Sequence, residues 1–559
     1  MIHKPAFSHL LPFLLVGCLL AMPATAQTYD LIIRGGTIYD GNGGPPWTGD
    51  VAVEKGKIVA VQPRVTGTAV RTVDAHGLAV SPGFIDPHTH DMQSIQTVRG
   101  PFLDVQDLAQ GITTVILGPD GQESPKTLAV LISAAQHQGT SQNYGCYVGH
   151  NGIRKEVIGH AHRNATAAEM EQMKAQVRQG MTLGCVGLSA GLMYDPGMFS
   201  PPQEIIDLAK EVRPFDGIYD SHSRNPVTDF MGSELETAHI GIAAGIPAKL
   251  GHIKAVGLTN QGKSTELIDA VNALRAEGHE IVGDVYPYDG AATLDLQDLI
   301  IFPDHATAHG LSNEQKRAKL KAALADPAAK AALKKTSEQG IDNGFSWIKV
   351  GAYTASRIVV APGQPELLGK FISVLAQERG EDPFDVLTRI LANAHGPIIV
   401  VVGTIDEQDM RNFLVQPWDM ISSDSSYIGL SIPAHPRSTG AFVRVLGHYV
   451  RDVKLLSLQE AIRKMTSLPA DVLRLYDRGR LAPGKVADIT LFDAAKVADR
   501  SDYEHPKRLA QGVVEVFVNG TSVWKDNKPT GATPGVFVPR QQNPRPSLQP
   551  SSRSSSGTT

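Results

Sequence analysis

The segment Gly83-Phe84-Ile85-Asp86-Pro87-His88-Thr89-His90 constrains this chain most: an apolar run that reads as a strand and ends in two histidines one residue apart. Strand side chains alternate faces, so His88 and His90 point the same way and can share one metal ion. Imidazole nitrogens are common zinc ligands, and two from one strand supply half a tetrahedral shell. Paired histidines also arise by chance on surfaces. Their weight here comes from single His and Asp residues downstream, each at the end of another apolar run.

Those runs alternate with helical stretches, the pattern of parallel βαβ units. Apolar runs at 113–117, 143–148, 186–189, 218–221, 248–251, 280–285, 398–402 and 419–422 join the histidine-bearing one. That makes nine candidates for the eight strands of a (β/α)8 TIM-like barrel, so one lies outside. The barrel is the expected architecture, because its active sites form at the C-terminal ends of strands, where the candidate ligands fall. It should span 82–479, with an Ala/Lys-rich helical insertion at about 293–343 acting as a lid over the mouth. Short strands and turns at 27–81 and 480–538 predict a small β-sandwich domain built from both chain ends.

The termini carry other signals. Met1 to Lys4, an apolar stretch from about Leu10 to Met22, and Ala24-Thr25-Ala26 make the pattern of a secretory signal peptide over 1–26. The apolar part is too short for a stable membrane span. Leu15-Val16-Gly17-Cys18 resembles a lipobox and offers a second processing site, but the apolar region continues past Cys18, which favours cleavage after Ala26. The expected location is periplasmic or secreted. Cleavage leaves Cys146 and Cys185, whose isolated contexts read as two small buried side chains rather than a disulfide scaffold or a zinc motif. Residues 539–559 are expected to be a disordered tail, with Ser, Pro, Gly, Thr and Gln dominating from Pro546 on. A formal net charge of -5 and the absence of any basic run argue against a nucleic-acid partner.

Six candidate metal ligands follow: His88, His90, Asp120 in Gly118-Pro119-Asp120-Gly121, His222, His252 and Asp424. Singly, each has an ordinary explanation. A strand-end histidine can be a hydrogen-bonded core residue, Asp120 a turn former and Asp424 a helix cap. Together, four histidines and two aspartates at strand ends exceed what turn chemistry produces. Lys254 lies two residues past His252 and, on a continued strand, would share its face.

The chain resembles the amidohydrolase superfamily, and within it the N-acyl-D-amino-acid deacylases, from about Tyr29 to Val538. The likeness is carried by the histidine segment, Gly187-Leu188-Ser189-Ala190-Gly191-Leu192 with Tyr194 and Pro196-Gly197, and Ser221-His222-Ser223-Arg224. Gly251-His252-Ile253-Lys254, Asp284-Val285-Tyr286-Pro287-Tyr288, His435-Pro436-Arg437 and Glu460 to Thr466 with Leu468-Pro469-Ala470 extend it. The resemblance implies a metal-dependent amide hydrolase using one or two Zn2+ ions. It places His222 and His252 at the tight zinc, His88 and His90 at a weaker position, and Asp120 where the family usually has cysteine. Asp424 becomes the general base and acid, while Lys254, Tyr286 and Arg437 grip the carboxylate of a small-molecule substrate.

That substrate would be an N-acyl-D-amino acid or a dipeptide with a C-terminal D-residue. Asp289-Gly290-Ala291-Ala292 offers no arginine for an acidic side chain, which favours a neutral one. A cyclic amide hydrolase of the hydantoinase type is disfavoured by the lack of a lysine near Gly187-Leu188-Ser189. A barrel that binds without catalysis predicts eroded ligands, and only the change from cysteine to Asp120 fits that description.

Overall fold

The structure is a computed structural model that describes Met1 and residues 28–304, 311–340, 346–403, 405–427, 429 and 435–542. The leader pattern and the Ser-rich tail lie outside the described residues. The first part of the expected tail does not behave as one: Arg540 and Gln541 donate backbone hydrogen bonds to the Gly184 and Arg474 carbonyls.

Eight parallel strands form one sheet in sequence order: β1 (Phe84–Asp86), β2 (Ile112–Leu117), β3 (Asn143–Gly149), β4 (Gly187–Gly191), β5 (Ile218–His222), β6 (Ala248–Leu250), β7 (Ile281–Val285) and β8 (Asp419–Ile421). Every residue of these strands is buried, as expected for strands enclosed between a barrel interior and an outer helix layer. The outer helices begin on local signals. Ser124 caps the helix Pro125–Gln138, and Thr166 with Glu169 forms a reciprocal capping box on Ala167–Leu183.

Just beyond the strand ends, β8 meets β1. Thr89 bridges Ser425 in parallel, the Asp424 N–H donates to the His88 carbonyl at 3.0 Å, and the His90 N–H donates to the Ser425 carbonyl at 3.0 Å. Gly83 enters β1 where a Cβ would stand 2.3 Å from the Thr113 side chain, so glycine is required by close approach.

The surplus ninth run is 398–402. Its strand Ile399–Val402 is the centre of a separate antiparallel sheet, flanked by Ala292–Asp295 and Ser356–Val360. All four of its residues are buried there too, which is why an apolar run alone did not separate it from a barrel strand. The insertion is correspondingly larger than expected. It fills the chain between β7 and β8 and has its own core, including Leu296, Leu333, Phe384 and Val400. Ala291, Ala292, Thr293, Leu294 and Trp347 from it line the cavity above the barrel.

Strands from both ends of the chain make one nine-stranded sheet. Ala79–Pro82 pairs antiparallel with Ile489–Phe492 and joins the two halves. Leu31, Ile33, Val51 and Val53 share a core with Ile489, Leu491 and Phe517. This sheet leads directly into the barrel, since the Gly83 N–H donates to the Asp488 carbonyl at 2.8 Å.

The cysteine expectation is corrected. Cys146 and Cys185 are buried, as expected, but they are disulfide-bonded, with Cα atoms 4.6 Å apart. Pairing of β3 with β4 brings them together: the Val186 N–H donates to the Cys146 carbonyl at 2.7 Å. The 39-residue separation hides neighbours across one βαβ unit. Closing a loop of that length stabilises by about 4 kcal/mol in the chain-entropy treatment. Reduction, or the double substitution Cys146→Ala/Cys185→Ala, should lower the urea midpoint accordingly. An unchanged midpoint in both would show that the bond contributes nothing.

Candidate metal centre

Five of the six expected ligands sit immediately past strand ends, and His222 is the last residue of β5. Three of them, Asp120, His252 and Asp424, have positive φ of 57°, 37° and 47°. Non-glycine residues take this conformation only when their surroundings impose it, and such positions concentrate at functional sites. Each reverses the chain just past its strand while its side chain faces the others. The turn at Asp120 is held from below: the Ser189 hydroxyl donates to the Gly118 carbonyl at 2.5 Å and accepts from the Gly121 N–H at 3.1 Å.

The six side chains converge. Asp120 Oδ1 lies 3.4 Å from His88 Nε2 and 3.5 Å from His252 Nε2. Its Oδ2 lies 3.6 Å from His90 Nε2 and 3.7 Å from His222 Nδ1. Asp424 Oδ1 is 3.4 Å from His90 Nε2 and 3.9 Å from His88 Nε2. These separations are long for hydrogen bonds. Two ligand atoms each about 2.1 Å from one tetrahedral ion stand about 3.4 Å apart, which is the spacing seen. His222 Nδ1 and His252 Nε2 are closer, at 2.9 Å.

Buried polar atoms normally find partners. Here His88 Nε2, His222 Nε2 and Asp120 Oδ1 are buried without a hydrogen bond. Nitrogen and carboxylate lone pairs left bare at metal-ligand spacing fit a divalent ion of the zinc class. Protonation states fit as well. Burial and the neighbouring Lys254 push His252 down to about 3, and burial lowers His222, so both imidazoles are neutral near pH 7. His252 Nδ1 faces the Gly251 carbonyl, which fixes its proton there and turns the Nε2 lone pair into the cluster. Asp120 and Asp424, against the penalty of burial, are held well below the usual carboxylate range by the surrounding imidazoles and, for Asp424, chiefly by Arg437. His88 is the exception: despite burial, Asp120 and Asp284 push it up to about 9.

The three expected carboxylate-binding residues divide. Arg437 Nη1 is 3.0 Å from Asp424 Oδ2, yet neither this nitrogen nor Nε makes an aligned hydrogen bond. Lys254 is buried, lines the cavity and makes one long bond to the His252 carbonyl, at 3.4 Å. Tyr286 departs from expectation. Its hydroxyl donates to the backbone carbonyls of Gly290 (3.0 Å) and Ala291 (3.3 Å), while its ring lies 4.6 Å from Arg437 Cζ and 5.4 Å from Lys254 Nζ. It is a cation–π platform that sets two positive groups side by side. A strand-end tyrosine in the sequence does not reveal which way its hydroxyl turns.

Other contributors went unassigned in the sequence. The Tyr194 hydroxyl is 3.3 Å from His222 Nδ1; its place just beyond β4 was the available signal. Asp86 accepts from the His88 and Ser423 N–H groups at 3.1 and 3.3 Å and from the Ser423 hydroxyl, fastening β1 to the segment after β8.

A parallel barrel with imidazoles and ionised carboxylates gathered at its mouth is the layout of a metal-dependent hydrolase. The amidohydrolase family model matches residues 409–524, and N-acyl-D-aspartate deacylase of Alcaligenes xylosoxydans xylosoxydans is 30% identical over 93% of this chain and 98% of its own length. The chain belongs to the N-acyl-D-amino-acid deacylase family of amidohydrolases. D-aminoacylase of the same organism is 29% identical over 92% of this chain and 98% of its own. A crystal structure of D-aminoacylase superposes with a TM-score of 0.73 at 29% identity, covering 92% of this chain and all of that one. N-acyl-D-glutamate deacylase of Bordetella bronchiseptica, solved with zinc and a phosphonate mimic of the tetrahedral intermediate, gives 0.73 at 27% identity, with 92% and 100% covered.

Two measurements check this geometry. Asp120→Ala, which removes the carboxylate facing all four imidazoles, should lose bound zinc by metal analysis; full retention would strike Asp120 from the ligand set. Tyr286→Phe should leave KM within a few-fold of wild type, whereas Tyr286→Leu, which removes the platform, should raise it at least about tenfold. A large effect of the phenylalanine alone would restore the hydroxyl as a substrate donor.

Proposed function

We propose that this chain is a periplasmic or secreted zinc enzyme that hydrolyses N-acyl-D-amino acids, with dipeptides ending in a D-residue as the related substrate class. The observation that carries it is the convergence of His88, His90, Asp120, His222, His252 and Asp424 at ligand spacing, beside Arg437 and Lys254. The leader pattern supports the location, and so does the Cys146–Cys185 bond, since disulfides persist in oxidising compartments. Among the described residues no helix is long and apolar enough to cross a membrane.

Zinc held by these six residues would supply Lewis acidity toward the amide carbonyl and lower the pKa of water at the site. The residues do the rest. Arg437 and Lys254 anchor the α-carboxylate: the guanidinium through Nε and the N–H groups not turned to Asp424, the ammonium as a second positive charge. Asp424 takes a proton from the attacking water as its oxygen bonds to the amide carbon, then returns it to the nitrogen as the C–N bond breaks. The products are a carboxylate and a free D-amino acid. The Cβ-bearing turns at Asp120, His252 and Asp424 and the seam between β1 and β8 hold these groups in place before substrate arrives.

Purified zinc-loaded protein should hydrolyse N-acetyl-D-leucine, spare N-acetyl-L-leucine and lose activity to a chelator. Asp424→Asn should lower kcat by about 10²–10⁴-fold. No turnover of any amide despite bound zinc would favour a binding protein, and equal turnover of both enantiomers would remove the D-specific assignment.

A further inference from the structure

Relatives that act on D-aspartate, on D-glutamate and under the general name D-aminoacylase are similar to this chain to nearly the same degree, so identity does not choose the side chain. The cavity does. It has a volume of about 910 Å³ and reaches from the metal centre outward past the apolar side chains Leu192, Met198, Val227, Leu294 and Trp347. Besides the histidines, its lining contains three cationic side chains, Lys254, Arg437 and Arg224. The first two belong to the inner end. Arg224, two residues past β5, is the one cation of the outer wall among the described residues.

Arg224 is held chiefly by one carboxylate. Its Nε donates to Glu236 Oε2 at 2.9 Å and Oε1 at 3.2 Å, its Nη2 donates to Oε1 at 2.9 Å, and its Nη1 donates to the Met198 carbonyl at 3.3 Å. Glu236 stands on the helix Phe230–Ala244 and commits both carboxylate oxygens to this pair. A side-chain carboxylate on the substrate would meet a guanidinium whose charge is already balanced by a tethered carboxylate in bidentate geometry, and would be repelled by Glu236 beside it. Asp229 adds a further negative charge to the same wall. An apolar side chain meets no such competition and covers Leu192, Met198, Val227 and Leu294.

We infer that Glu236 is a specificity determinant: by occupying Arg224 it makes the outer chamber select D-residues with uncharged, apolar side chains. This rests on the deacylase reading above. The geometry also assigns the latent preferences. With Glu236 neutralised, Arg224 becomes a free carboxylate receptor; with Arg224 neutralised, Glu236 becomes a receptor for a cation.

The test compares kcat/KM for N-acetyl-D-glutamate, N-acetyl-D-lysine and N-acetyl-D-leucine on zinc-loaded full-length protein. Wild type should favour D-leucine over both charged substrates. Glu236→Gln should raise the D-glutamate to D-leucine ratio at least about tenfold, the scale of one charge-assisted pair. Adding Arg224→Gln should cancel that gain. Arg224→Gln alone should instead raise the D-lysine to D-leucine ratio, which keeps the inference testable if the Glu236 variant folds poorly. A wild type indifferent to charge, a Glu236→Gln ratio within twofold of wild type, or a gain that survives in the double variant would each overturn it. A gain seen with N-succinyl-D-leucine rather than N-acetyl-D-glutamate would put the acyl group against Arg224 and overturn the side-chain assignment. Should wild type hydrolyse none of these amides, the deacylase reading falls, and calorimetric binding of the same compounds to wild type and Glu236→Gln still decides the role of Glu236.

Discussion

The seam between the first and last barrel strands is the constraint on which the rest depends. An eight-stranded parallel sheet left open there would separate His88 and His90 from Asp424 by the full width of the barrel. Instead Asp86 takes hydrogen bonds from Ser423 and from His88, and Asp91 takes them from Ser425 and Thr89. Both carboxyls are fully buried, and burial pushes Asp86 up to about 7 and Asp91 up to about 6. Buried carboxyls that satisfy both edges of a join are costly to leave unpaired, so the register in which β8 meets β1 is strongly specified. Two metal ligands from β1 and one from β8 are thereby delivered to the same face.

Just beneath the rim one layer of the barrel interior is charged, lying on an apolar layer that includes Ile85, Ile116, Ile218, Val282 and Met420. Lys249 of β6 is wholly buried, 2.6 Å from Asp220 Oδ1 and 2.5 Å from Asp284 Oδ1, and Asp284 Oδ2 is 3.9 Å from His88 Nδ1. Burial opposes the Lys249 charge, but the two carboxylates outweigh it and hold its pKa well above the ordinary value. Removing one partner from a buried ion pair costs about 3–5 kcal/mol, because the survivor is stranded. The triad is therefore a rigid electrostatic floor, and its Asp284 adds to the stronger effect of Asp120 in pushing His88 up.

Much of this was legible in the sequence, and the reasons differ by residue. The candidate ligands could be found because each lies at or just past the end of an apolar run, although β1 stops at Asp86 and His88 and His90 follow it instead of alternating along it. Residue 398–402 misled because full burial looks alike in a barrel strand and in the middle strand of a small covered sheet; only pairing partners distinguish them. Cys146 and Cys185 were read as separate because proximity across β3 and β4 is a property of register, not of spacing along the chain. Tyr286 was given the right neighbourhood, but which way its hydroxyl and its ring face turn is not written in the sequence. Arg224 stood inside a quoted motif, but its partner Glu236 is twelve residues on, and nothing in the intervening chain announces the pair.

Asp120 stands where the resemblance to the deacylases implies a cysteine, and the geometry shows what a carboxylate offers there. A thiolate offers one donor atom. Asp120 offers two, and they face different histidines: Oδ1 toward His88 and His252, Oδ2 toward His90 and His222. The positive φ that turns Asp120 inward is tolerated better by aspartate than by most residues, because its short polar side chain suits the left-handed region. The neighbouring glycine is under its own constraint, since at Gly121 a Cβ would come within 2.4 Å of Asn151 and the φ is 72°. The turn is thus shaped to aim residue 120 at the centre of the imidazoles. A carboxylate there presents a negative charge to a divalent ion and is a harder, less oxidisable ligand than a thiolate, in a chain whose two described cysteines are joined to each other.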